Sequence, residues 1–248
     1  MLKILAAALM LVDHIGFVLY PGLIWMRVVG RFSMPLFAYA IASGFYFTSR
    51  KGTFPKYLLQ IAIFAAVSQF PFWLAHQVTW HRGFLLNIGA TWFLALLVLQ
   101  GIYARESTAG LPVFFWRIAG VGAIIAALFI PVDFGIYGVL YPLACYPVVL
   151  ALRNRVNAAR AHGGEVLIDQ PQFRLSPETY WFGGVSQLVL NAFGYFVLGF
   201  WHYQALAFLA FPLMLLDRGK KSRITKWLFY IIYPAHLLAL WAIATYLR

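Results

Sequence analysis

Asp13 and His14 stand side by side inside an apolar run that extends from Leu2 to Tyr20, and no other feature constrains the fold as tightly. A charged group near the centre of a bilayer costs about 2.5 kcal/mol or more even on lenient insertion scales. Such residues persist in a spanning helix where they face a polar cavity and act there. The run does not read as a cleaved leader. Leu19-Tyr20-Pro21 offers no small-residue cleavage site, and Asp13-His14 interrupts the apolar stretch. It reads as a retained first transmembrane helix.

Composition tells what surrounds that helix. The chain is 63% hydrophobic and only 10% charged, with a mean hydropathy of +0.79. A soluble domain carries about 25% charged residues, and long apolar stretches mark membrane spans. The fold class is therefore an all-α polytopic membrane protein, a single transmembrane domain over residues 1–248. Apolar windows predict nine transmembrane helices at 2–20, 28–48, 56–75, 84–103, 114–131, 135–152, 181–200, 203–217 and 226–246. The tight Trp201-His202-Tyr203 turn makes the seventh and eighth a hairpin. The polar stretch 153–180, with Gly163-Gly164 and Pro171, reads as a cytoplasmic loop.

The net charge of +12 has its natural explanation in the positive-inside rule rather than in nucleic acid. With the N-terminus cytoplasmic, all of the Lys and Arg except Arg27, Arg31, Arg82 and Arg248 fall on the inner side. An even number of spans would spoil that alternation. The expected location is the bacterial inner membrane, multi-pass. Cys145 has no second cysteine to pair with, so it reads as a small packing residue. No internal repeat is present, which weighs against a duplicated transporter.

Depth connects the two ends of the chain. Counted from Lys3 at 1.5 Å per residue, His14 lies roughly 16 Å into its helix, and His236, counted from Lys226, lies at about 15 Å. Two histidines at one level argue for a shared cavity, and histidine is the side chain best suited to accept and return a proton near neutral pH. Tyr230, Tyr233 and His236 recur every three residues on roughly one helical face, beside Pro234. Arg27 and Arg31 are four apart and share a face at the outer entry of the second span. Arg31 is the expected partner of Asp13. Arg27 is either an interface anchor or part of the site. Asn87, Thr91 and Asn191 are either interhelical hydrogen-bond formers or polar contacts for a ligand. Asp133, in Pro131-Val132-Asp133-Phe134-Gly135, has a turn role by default and lies on the same side as Arg31.

Phosphate-binding glycine loops, paired zinc histidines and serine-nucleophile elbows are absent from the sequence. Apart from Asp217 at the very end of the eighth, Asp13 is the sole carboxylate within a span, which gives a metal site no support, and none is expected.

Several segments carry a family resemblance. They are Met10-Leu11-Val12-Asp13-His14-Ile15-Gly16, Arg27-Val28-Val29-Gly30-Arg31-Phe32-Ser33-Met34-Pro35-Leu36-Phe37-Ala38, Ser68-Gln69-Phe70-Pro71-Phe72, Asp133-Phe134-Gly135-Ile136-Tyr137-Gly138 and Tyr233-Pro234-Ala235-His236-Leu237. Spread in order from end to end, they resemble the TraX family of membrane proteins. The family's namesake acetylates the N-terminus of a pilin subunit at the inner membrane. The family looks related to transmembrane acyltransferases that carry acetyl groups from cytoplasmic acetyl-CoA to acceptors across the membrane. The resemblance implies acetyl-CoA as co-substrate, a pilin or other envelope molecule as acceptor, and an embedded catalytic histidine. His14 takes that role, with Asp13 and His236 beside it. Arg27, Arg31, Tyr233, Asn87 and Asp133 are the expected binding residues. The basic segments Arg153–Arg174 and Arg218–Lys226 would attract the donor's phosphates. The alternatives are a channel or carrier, and an assembly factor that binds pilin-like helices without chemistry.

Overall fold

The computed structural model describes residues 2–78, 83–104, 111–161, 177–199, 202–217 and 225–247. The described backbone is helix and turn, with a parallel β-bridge between Leu86 and Val132. The helices in chain order are α1 (Leu2–Val18), α2 (Ile24–Gly30), α3 (Ser33–Arg50), α4 (Phe54–Gln77), α5 (Ile88–Tyr103) and α6 (Val113–Phe129). They continue as α7 (Gly135–Ala161), α8 (Pro177–Phe196), α9 (His202–Ala205), a 3-10 turn (Leu206–Ala210), α10 (Phe211–Leu215) and α11 (Thr225–Tyr246).

Three expected spans change shape. The second breaks at Arg31-Phe32 into α2 and α3. Pro35 falls in the first turn of α3, where its missing N–H would have had no helical acceptor in any case. The fourth begins at Ile88 instead of 84, because Leu86 pairs with the turn after α6 through its own N–H and C=O, each at 2.9 Å. The eighth is a short helix, a 3-10 turn and a second short helix that starts with Pro212 near its N-terminus. The expected loop also shrinks. α7 runs on to Ala161 and α8 starts at Pro177, while 162–176 lie outside the described residues, as do Arg82, Arg105, Trp201 and 218–224.

Helices α3, α5 and α7 pack together around the main core, where Phe45, Phe54, Tyr137 and Tyr141 are fully enclosed. The outside is apolar as well. α4 turns Leu59, Ile63, Val67, Phe70 and Trp73 outward, and α6 turns out Phe114, Ile118, Val121, Ile125 and Leu128. Apolar exteriors of that extent belong in lipid. The stretches Ile24–Arg50, Phe54–Gln77 and Gly135–Asn157 are long and apolar enough to cross a membrane, and α5, α6 and most of α11 are shorter apolar helices. This is a membrane protein built of helices.

The pairing of α1 with α2 depends on Gly30. A Cβ there would lie 2.6 Å from the Cα of Asp13 and 2.7 Å from its Oδ1. Glycine is what lets α2 approach the charged turn of α1 so closely. Gly30→Ala is expected to cost about 1–3 kcal/mol through overpacking, read as a lowered melting temperature of the purified protein in detergent. Gly22→Ala, with nothing within 4 Å of the added carbon, should leave it unchanged.

Candidate active site

Adjacent residues on a helix point about 100° apart, and α1 uses that angle to divide Asp13 from His14. Asp13 turns towards α2. Its Oδ2 lies 3.0 Å from Arg27 Nη1, which also donates to the Asp13 carbonyl at 3.1 Å. Arg31 Nε stands 3.8 Å from Asp13 Oδ1. Arg31 thus pairs with Asp13 as expected, and Arg27 stands closer still. The two arginines share a face, as expected: Arg31 keeps helical backbone at the end of α2, its N–H donating to the Arg27 carbonyl at 3.1 Å. Arg27 does not serve as an interface anchor. Its side chain is 12% exposed, and its guanidinium lies 4.6 Å from the centre of the Phe17 ring. Arg31 leans over Phe134 at 5.7 Å.

His14 turns the other way, to α11. Its Nδ1 lies 2.6 Å from Nε2 of His236. The ring centres are 4.9 Å apart and the planes differ by 8°. With the nitrogens so much closer than the centres, the imidazoles meet edge to edge in nearly one plane. His236 is held from behind by the carbonyl of Ile232, 2.7 Å from its Nδ1. Tyr233 stands edge-on to both rings, 6.4 Å from the centre of His14 and 5.6 Å from that of His236.

These groups border a cavity of about 390 Å³. Asp13, His14, Ser33, Tyr233, Asp133 and Phe134 line it in one region, and Lys3, Thr48, Tyr57 and Gln60 line it too, with Met34, Phe37, Phe64 and Trp92 among the apolar walls. Lys3 and His14 are eleven residues apart, three helical turns, so both lie on one face of α1 roughly 16 Å from each other along its axis. The cavity is therefore elongated, with a cation at one end and a histidine towards the other. That eleven-residue interval was a usable sequence signal for Lys3. Tyr57 and Gln60 had no such signal, because only the packing of α3 against α4 brings them to the cavity.

The remaining expected site residues divide. Asp133 lines the cavity from the turn before α7, where Thr91 Oγ1 donates to its carbonyl at 2.7 Å. Burial pushes its carboxyl up to about 7, against the pull of the Arg31 charge. The next residue, Phe134, has φ 61°, a left-handed backbone that a bulky side chain adopts only under constraint. Asn87 is a correction. It is fully buried and caps α5, its Oδ1 accepting from Gly89 N at 2.8 Å. Its Nδ2 donates to Ala65 O at 2.7 Å and to Gln69 Oε1 at 2.9 Å. With both amide ends engaged in the scaffold it does not line the cavity. Asn191 is likewise structural, linked to Tyr137, Tyr141 and Gln187 O at 2.7–3.1 Å.

One further feature escaped the sequence reading. Arg153, assigned to a loop, is 6% exposed and bonds Asp217 at 2.6 Å, with Tyr39 donating to the same oxygen at 2.9 Å. The pair is separated by 64 residues, so no local pattern could announce it. Among the described residues no group of three His, Cys, Asp or Glu is placed to hold a metal ion.

Breaking a buried ion pair strands a charge, at a cost of about 3–5 kcal/mol. Arg27→Gln is expected to lower thermal stability on that scale, and Asp13→Asn in the same chain should recover much of the loss. A melting series of the two single variants and the double variant in one detergent checks this.

The family model described as TraX protein matches residues 1–244. The probable fimbrial assembly protein FimC, serogroup H1, of Dichelobacter nodosus is 26% identical over 265 residues, covering 100% of this chain and 96% of that one. The uncharacterized protein RP591 of Rickettsia prowazekii (strain Madrid E) is 48% identical over 46 residues, 18% of either chain. No solved structure matches. A match that spans the chain almost from end to end, over the segments that build the cavity and its histidine pair, places this protein in the TraX family.

Proposed function

We propose that the protein is a membrane-embedded acyltransferase that moves an acetyl group from cytoplasmic acetyl-CoA to an amine or hydroxyl acceptor at or across the bacterial inner membrane. In this reading the chain is multi-pass with nine spans and its N-terminus cytoplasmic, as the distribution of Lys and Arg favours. The observation that carries the proposal is His14: a histidine with one ring edge held by His236, standing on the wall of an elongated cavity with Lys3 three helical turns away.

The chemistry follows from those positions. Lys3 offers a cation to the anionic end of the donor, and the apolar walls between Lys3 and His14 suit a long, thin, uncharged arm. His14 acts as general base. It takes the proton of the acceptor's amine or hydroxyl as that group attacks the thioester carbonyl carbon. The new C–N or C–O bond forms, the C–S bond breaks, and His14 returns the proton to the departing thiolate. Tyr233, on the same cavity wall with its ring centre 6.4 Å from that of His14, is suited to donate its hydroxyl to the oxyanion that develops. Arg27 and Arg31 compensate Asp13 and hold α1 in the orientation that aims His14. Asp133 lines the cavity beside them and is suited to contact the acceptor.

The family resemblance makes a pilin N-terminus the first acceptor to try. A second reading is an assembly factor that binds pilin-like helices without chemistry, favoured by the likeness to the probable fimbrial assembly protein of Dichelobacter nodosus.

Transfer of radiolabelled acetyl from acetyl-CoA by the purified protein in liposomes separates the two. His14→Ala is expected to reduce transfer by about 10²–10⁴-fold with its melting temperature retained. Unchanged turnover in that variant would remove His14 from the mechanism, and no transfer by the wild type to any supplied amine or hydroxyl would favour the assembly reading.

A further inference from the structure

Two contacts determine where the protons sit on the facing imidazoles. His236 Nδ1 lies 2.7 Å from the carbonyl oxygen of Ile232. A carbonyl oxygen only accepts, so this nitrogen carries the hydrogen. In a neutral imidazole the other nitrogen then bears the lone pair, which makes His236 Nε2 an acceptor. It faces His14 Nδ1 at 2.6 Å, and two lone pairs do not meet at that distance. His14 Nδ1 therefore carries a hydrogen and donates it. The nearly coplanar rings, 8° apart, point that N–H straight at its acceptor.

We infer that His236 is a positioning residue: anchored on the Ile232 carbonyl, it forces His14 into the Nδ1–H tautomer, so that the lone pair of His14 stands on Nε2, the nitrogen free to serve the cavity. The carbonyl of one helix turn on α11 thus decides which nitrogen of α1 is basic. The same contact moves charge. As His14 Nε2 takes the acceptor's proton, its Nδ1 proton shifts towards His236 Nε2, while His236 Nδ1 keeps its own proton, still donated to the Ile232 carbonyl. The positive charge is then shared between two rings. When the thiolate leaves, the Nδ1 proton returns and Nε2 releases its own to sulfur, so both histidines end as they began.

The use made of the base rests on the acyltransferase reading, but the tautomer rests on geometry alone, and the test keeps the two apart. Full-length protein with ¹⁵N-labelled histidine, reconstituted in nanodiscs, reports tautomers by NMR, and loss of a resonance in His14→Gln assigns that ring. His14 is expected as Nδ1–H in the wild type and in His236→Gln, whose amide oxygen can accept where Nε2 stood. In His236→Ala, and in His236→Asn, which is too short to reach His14, it should become a mixture with Nε2–H. An Nε2–H His14 in the wild type, or a tautomer indifferent to Ala and Asn, overturns the inference. If His236→Ala fails to fold, the Gln and Asn variants carry the comparison. Acetyl transfer adds a second readout: Gln should keep kcat within about tenfold while Ala and Asn lose about 100-fold, with KM for the acceptor unchanged in all. Equal losses in Gln and Ala contradict the positioning role. A wild type without transfer but with the expected tautomers supports the positioning role and removes the acyltransferase reading.

Discussion

The ion pair between Asp13 and Arg27 is the contact on which the site depends. A lone carboxylate inside an apolar bundle is costly, and a buried pair repays its desolvation only when the geometry is close and the remaining polar atoms are engaged. Here the arginine meets both the side chain and the backbone carbonyl of Asp13, at 3.0 and 3.1 Å, and Arg31 adds a second positive charge. The approach requires a glycine at position 30 and a break in the helix immediately after it. Because residues 13 and 14 diverge by about 100°, locking Asp13 to α2 also settles the direction of His14. The acid is the anchor, and the histidine is what the anchor aims.

Around that anchor the fold makes a cavity out of three kinds of interruption. The break between α2 and α3 brings Ser33 and Met34 to the wall. The bridge between Leu86 and Val132 holds the turn that carries Asp133 and the strained Phe134. Pro234 interrupts the backbone bonding of α11 beside Tyr233 and His236. Irregular backbone inside a membrane protein is tolerated where it is covered by protein or lines a cavity, and each of these positions borders the cavity or the residues behind it.

Much of this was legible in the chain. The cost of Asp13 and His14 in an apolar run marked the site, and counting residues from the helix ends put His14 and His236 at one depth. They touch at 2.6 Å. What could not be read was azimuth and helix limits. Arg27 and Arg31 share a face, as their spacing implied, because the helical conformation of α2 holds as far as Arg31, but the spacing did not say which of them would come closer to Asp13. Asn87 looked like a polar residue within a span because Phe84, Leu85 and Leu86 are apolar. Those residues are extended, and Asn87 is the cap of the helix that starts after them. The Arg153–Asp217 pair depends on how distant segments meet, which hydrophobic periodicity does not encode.

The central claim is that the cavity presents a thioester to Nε2 of His14. A cryo-EM structure of the protein in nanodiscs with a non-hydrolysable thioether or ketone analogue of acetyl-CoA tests it most directly. The account predicts the arm of the analogue within the cavity, its anionic end near Lys3 and its carbonyl carbon at a distance from His14 that leaves room for one attacking atom, each contact at about 3–3.5 Å. An analogue bound outside the cavity, or one whose carbonyl lies on the far side of Arg27 and Asp13 from His14, would contradict it.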